Sequence, residues 1–163
     1  MSDAFAIYLR NHEAAAQAGC DLVRRVAANQ RSGRHGDELT RLAADIEEDA
    51  RRLRALMSKA SVRADLLQGV ALRAGERLAR FKPNGHLLTR APLSDLIEIE
   101  ALLDAVRAKW AGWEALAAMG LEPLRRRGVD LAEIRDLSGR ADQQIAVLLR
   151  LHAEVSARVL AQD

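Results

Sequence analysis

The sequence predicts an all-α fold with four long helices in two hairpins and one additional helix between the hairpins. Three observations predict it. Ala, Leu and Arg dominate the chain, with Glu interspersed, and all four are good helix formers. Apolar residues recur in alternating steps of three and four through four long windows, which places them on one stripe of a helix. Only three prolines occur, Pro83, Pro92 and Pro123, and each falls at an expected loop or helix start. With 163 residues, 49% of them hydrophobic, the chain is expected to form a single domain over 1–163 around a real core.

The first long helix is predicted from about Asp3 to Gln30. Phe5, Tyr8, His12, Ala15, Gly19, Leu22 and Val26 form its stripe, widened by Leu9, Ala16 and Val23. The loop Arg31-Ser32-Gly33-Arg34-His35-Gly36 ends it with two glycines. The second helix is expected to start at Asp37 as its N-cap. Leu39, Leu42, Ile46, Ala50, Leu53 and Met57 supply its buried face, and Glu47, Glu48, Arg51, Arg52 and Arg54 its charged one. A shorter helix is predicted over 64–81, with Leu66, Leu67, Val70, Ala74, Leu78 and Phe81 on one side. Lys82-Pro83-Asn84-Gly85 breaks the chain after it.

The third long helix begins near Pro92, a favourable first-turn residue. Leu96, Ile99, Leu103, Val106, Trp110, Trp113 and Ala117 repeat along it as a coiled-coil-like seam. Leu93 and Leu102 are expected on its outside, available to a partner or to the crossover helix. Gly120 and Pro123 mark its end. The fourth opens with Asp130-Leu131-Ala132-Glu133, a capping-box pattern. Its seam is Ile134, Leu137, Ala141, Ile145, Leu148, Val155 and Val159. Gly139 is a candidate bend or interruption, since glycine costs roughly 1 kcal/mol against alanine inside a helix.

Composition also bounds function. Net charge is only +2, with a pI near 9.1, and arginines are interleaved with acids, the pattern of a solvated surface. Cys20 is the only cysteine, which excludes an intrachain disulfide. It is read as a buried structural thiol. Apolar runs are short, roughly five residues around Ile145–Leu149, against about 20 for a membrane span. The N-terminal residues lack a basic-then-apolar signal layout. The expectation is therefore no membrane span and a cytoplasmic protein.

Two hairpins with short loops, separated by about 30 residues, give the third helix room to run parallel to the second, because a 17-residue crossover helix spans about 26 Å. One long crossover between hairpins is the connectivity of ferritin-like bundles. A simple up-down bundle with the basic helix outside is the alternative. The stretch Leu78-Ala79-Arg80-Phe81-Lys82-Pro83-Asn84-Gly85-His86-Leu87-Leu88, leading into Pro92-Leu93-Ser94-Asp95-Leu96-Ile97-Glu98-Ile99-Glu100, resembles uncharacterised bacterial members of the ferritin-like superfamily. The architectural likeness covers nearly the whole chain. Many members oxidise or store iron, an activity that travels with particular ligands rather than with the fold.

Those ligands are a Glu from each of two helices and Glu-x-x-His from each of two others. No Glu-x-x-His occurs in this sequence: Glu47 is followed three residues later by Ala50, Glu48 by Arg51, Glu100 by Leu103 and Glu154 by Ala157. The chain therefore departs from the family pattern at both helices that should carry the motif, and no cofactor is expected. The inward polar candidates are His12, Asp49, Glu100 and His152. In the ferritin-like arrangement His12 stands level with about Leu56, Ala111 and Leu137, and His152 with about Leu96. The two histidines are then about 22 Å apart and cannot share a metal. Glu100 and His152, with Asp45, form a candidate non-standard metal site. The competing reading is a hydrogen bond or ion pair at the edge of the seam.

Tyr8, His12, Met57, Trp110 and Trp113, with Phe5, are expected at one end of the bundle. They form either a ligand pocket with two polar handles or an aromatic core layer. Arg73, Arg77 and Arg80 share one face of the basic crossover. Glu76 beside them and the lack of exposed aromatics argue against nucleic acid. His35 and His86 are expected in solvated loops. The functional expectation is a non-catalytic bundle acting as a binding or interaction module, with an unknown protein partner or by self-association, such as a homodimer. The alternatives are a metal-binding protein of iron handling or stress response, and a nucleic-acid-associated protein using the crossover arginines.

Overall fold

In a computed structural model the described residues are 3–63 and 92–161, and among them every regular element is a helix. They are α1 (Ala4–Asn29), α2 (Gly36–Lys59), α3 (Pro92–Ala117), the short α4 (Leu121–Arg126) and α5 (Leu131–Leu160). The predicted helix over 64–81, with Arg73, Arg77 and Arg80, lies outside the described residues.

Local chemistry sets the ends. Asp3 caps α1 by accepting from the Phe5 N–H, and Asp130 caps α5 by accepting from Ala132. The expected cap at Asp37 is a correction. The helix begins one residue earlier, at Gly36, and His35 holds the cap position without a side-chain bond. Asp37 instead lies in the first turn, where its negative charge suits the helix dipole. Gly139 neither ends nor interrupts α5, which runs through it for 30 residues. Gly128, with φ of +71°, closes α4: Val129 N–H reaches back to the Leu124 carbonyl. Ser61 does the same after α2 at φ +56°, with Val62 N–H on the Met57 carbonyl. A side chain is strained in that conformation where glycine is not.

The helices pack through most of the predicted stripe positions, but Ala15 of the α1 stripe is exposed, and Glu13 and Cys20 of α1 and Leu56 of α2, outside the predicted stripes, are buried. Leu9, Val23 and Val26 of α1, Leu39 and Leu56 of α2, Ile99 of α3, and Leu137 and Leu148 of α5 are fully buried. Two positions on α3 differ from the expected seam. Leu102, expected outside, is fully buried, while Trp110 is 37% exposed. The apolar positions of α3 lie all around the helix, so the stripe taken through Trp110 was ambiguous. The chain buries Leu116 beside the expected Trp113 and brings Lys109 toward the interior.

Side-chain pairs give the directions. Glu13 meets Arg54 and Arg24 meets Glu47, so α1 and α2 are antiparallel. Glu100 meets His152 and Glu114 meets Ser138, so α3 and α5 are antiparallel. Asn29 donates to Glu98 while His12 sits on Gly112, so α1 and α3 are antiparallel as well. Arg140 meets Asp49 and Arg150 meets Glu38 across α5 and α2. The cyclic order is therefore α1–α2–α5–α3, and α2 and α3 run the same way on the diagonal.

At Gly112 the side chain of His12 on α1 lies against the backbone of α3. A Cβ there would lie 2.5 Å from the His12 ring. Gly112→Val should therefore lower the unfolding free energy by about 1–3 kcal/mol. Combining it with His12→Ala should recover at least about 1 kcal/mol of that loss in denaturant unfolding, because the two sites share one contact.

Candidate functional site

The most concentrated interior chemistry lies between α2, α3 and α5. Asp49 is 1% exposed, and both of its carboxylate oxygens are used. Lys109 Nζ donates to Oδ2 at 2.7 Å and Gln144 Nε2 to the same oxygen at 2.8 Å. Arg140 Nε donates to Oδ1 at 2.6 Å. Lys109 also donates to Gln144 Oε1, which closes a triangle of lysine, aspartate and glutamine. Arg140 spans outward to the Asp45 carbonyl at 3.2 Å and its carboxylate at 3.7 Å.

Burial and charge pull these groups in different directions. Burial pushes the Lys109 ammonium below the ordinary lysine range, and the carboxylate of Asp49 opposes that shift. The hydrogen bond to Asp49 raises the already high pKa of Arg140. Chemically, the cluster holds a buried carboxylate by two cations and an amide, which is how a protein interior tolerates an ion. A second interior acid, Glu13, is held by Gln17 and by Arg54 at 3.2 Å.

The candidate metal residues separate into two places. Glu100 Oε1 and His152 Nε2 are 3.1 Å apart on the partly exposed α3–α5 edge. Asp45 does not join them; it pairs with Arg140 on the α2–α5 side. Among the described residues no group of three or more His, Cys, Asp or Glu side chains converges as metal ligands would.

The aromatic end is divided as well. Tyr8 and His12 are ring neighbours, with centroids 4.4 Å apart, and His12 rests on Gly112. Burial holds the His12 imidazole below its ordinary pKa. Met57 and Trp113 are buried, and the Trp113 Nε1 donor finds no hydrogen-bond partner among the described residues. Trp110 stands apart, partly exposed. Phe5 carries the Arg127 guanidinium over its face at 4.4 Å.

Cys20 is buried on α1, and burial pushes its thiol pKa up, so it is a poor nucleophile. His35 corrects an expectation. It is 9% exposed rather than solvated, and it stands 3.6 Å from Glu154 of α5, whose C-terminal part reaches the α1–α2 loop. Sequence reasoning also missed Lys109, Arg140 and Gln144. A signal was present for two of them. Lys109 falls three residues after Val106 and four before Trp113, and Gln144 falls three after Ala141 and four before Leu148. Asp49 has the same spacing between Ile46 and Leu53. Three polar residues at core spacing on three helices imply that they meet.

The class this fold and site define is an all-helical protein with a polar cluster built into its interior, and none of its described helices is long and apolar enough to cross a membrane. The chain matches no protein-family model, no curated protein and no solved structure.

Two measurements follow. Asp49→Ala leaves Lys109 without its charge partner and should cost about 3–5 kcal/mol in urea unfolding, against less than about 1 kcal/mol for Arg51→Ala on the surface. His12 gives a pH dependence. Its folded pKa lies below the ordinary value near 6.5, so the unfolded chain binds the proton more readily between the two values. That contribution to stability is complete above pH 6.5 and is lost as pH falls through the window below it. The loss in Tm between pH 7 and pH 5 should shrink in His12→Gln by about 1 °C or more. An unchanged slope would contradict a His12 pKa lowered by partial burial.

Proposed function

We propose that this chain is a non-catalytic helical bundle of ferritin-like connectivity, a binding or interaction module that works by self-association or with a protein partner in the cytoplasm. The parallel direction of α2 and α3 supports that connectivity, because a simple up-down bundle would run them oppositely. The observation that carries the functional reading is the engagement of Asp49. Ferritin-like iron sites gather carboxylates and imidazoles in the interior between the helices. Here the interior acid on α2 is met by Lys109, Arg140 and Gln144. Ammonium and guanidinium groups stand where metal cations would, so the carboxylate's lone pairs are already used.

The Glu100–His152 contact favours a second reading, a metal-handling protein with ligands at the α3–α5 edge. A carboxylate and an imidazole at 3.1 Å could chelate one divalent ion with water completing its shell. Elemental analysis separates the two. Full-length protein purified without chelator and then offered Fe(II) or Zn(II) should retain well below one ion per chain after desalting. Retention of one or two ions per chain, lost in His152→Ala, would overturn the first reading in favour of the second.

A further inference from the structure

The four seams between neighbouring long helices are not alike. The pairs α1–α2, α1–α3 and α3–α5 bring their backbones together, whereas those of α2 and α5 stand farther apart. What crosses this wider seam is charge. Arg150 reaches Glu38, Arg140 reaches Asp45 and Asp49, Arg52 meets Asp136 at 2.6 Å, and Lys59 meets Glu133 at 3.0 Å. Between the pairs lies a groove of about 250 Å³ that includes Leu42, Val147 and Gln143. Arg140 and Gln144 also line it, and both donate to the buried Asp49.

Two physical consequences follow. Ion pairs with solvent-exposed partners are weak and are screened by salt, unlike apolar burial. Parting this seam also brings water first to charged and amide groups, which water solvates well, rather than to packed leucines. The opposite seam in the cyclic order, α1–α3, brings its backbones closer than α2–α5 does, with His12 seated on Gly112 and Glu98 meeting Asn29 and Arg25. The two hairpins therefore resemble covers joined along α1–α3 and latched by charge along α2–α5. The latch is also directional. On α2 the acids Glu38, Asp45 and Asp49 precede the bases Arg52 and Lys59. On antiparallel α5 the bases Arg150 and Arg140 face the acids, and Asp136 and Glu133 face the bases. A slipped register would set like charges opposite each other, so reclosure has one favoured alignment.

We propose that the protein opens along the α2–α5 seam, the hairpins parting about α1–α3, and that ionic strength sets how much of it is open. The latch residues are Arg140 and the other cross-seam pairs, and opening exposes Asp49, Lys109 and Gln144.

Spin-label distance measurements on the full chain test this. In a Cys20→Ala background, Arg41→Cys and Gln143→Cys place labels on opposite walls of the groove, both at exposed positions. Asn11→Cys with Ala111→Cys reports the α1–α3 side, also from exposed positions. Raising NaCl from about 0.05 M to about 1 M should enlarge the long-distance population of the groove pair at least about threefold and leave the α1–α3 pair unchanged. Arg140→Gln should reproduce the shift at low salt. A groove pair indifferent to salt would overturn the proposal, and so would equal broadening of both pairs, which signifies general loosening. If Arg140→Gln fails to fold, the salt series on the parent background decides by itself.

Discussion

A carboxylate taken out of water has to be met by cations or hydrogen-bond donors, and Asp49 imposes that constraint on three helices together. It sits on α2, its ammonium partner on α3, and its guanidinium and amide partners on α5. Apolar stripes alone would let antiparallel helices slide by a turn with modest loss. A buried ion pair penalises such a slip heavily, because each displaced partner becomes an uncompensated charge. The relative heights of α2, α3 and α5 therefore rest on this cluster, and so does the alignment of the outer ion pairs.

The remainder of the structure divides by solvent exposure. On the α1–α3 side the backbones come closer, a glycine makes room for an imidazole, and Glu98 meets Asn29 and Arg25. On the α2–α5 side, arginine and lysine side chains reach across a wider gap. Long flexible side chains hold such a gap at an entropic cost that apolar packing does not incur. The α2–α5 edge is thus the one bridged by charged side chains across a wider gap.

Much of this was legible in the sequence. The helix spans follow from three-and-four apolar spacing and, for α5, from the cap at Asp130. The Glu100–His152 contact followed from counting heights along antiparallel helices. Legibility failed where a helix is apolar on all sides. On α3 the periodicity allowed Trp110 or Lys109 to face inward, and a tryptophan outranks a lysine on hydrophobicity alone. What decides in favour of Lys109 is a buried acid on another helix, and single-helix periodicity contains no such information. The burial of His35 was illegible for a similar reason, since it depends on Glu154, distant in sequence, reaching the α1–α2 loop. Asp37 failed as a cap because the loop glycine Gly36 entered the helix first.

The account stands on the coupling between Asp49 and its cations. A double-mutant cycle in urea, with Asp49→Ala, Lys109→Met and the pair, measures it most directly. The predicted coupling energy is about 1–3 kcal/mol, with the double variant more stable than the sum of the single losses implies. Additivity within about 0.5 kcal/mol would mean that the two side chains do not depend on each other, and the proposed anchor of the three helices would be wrong.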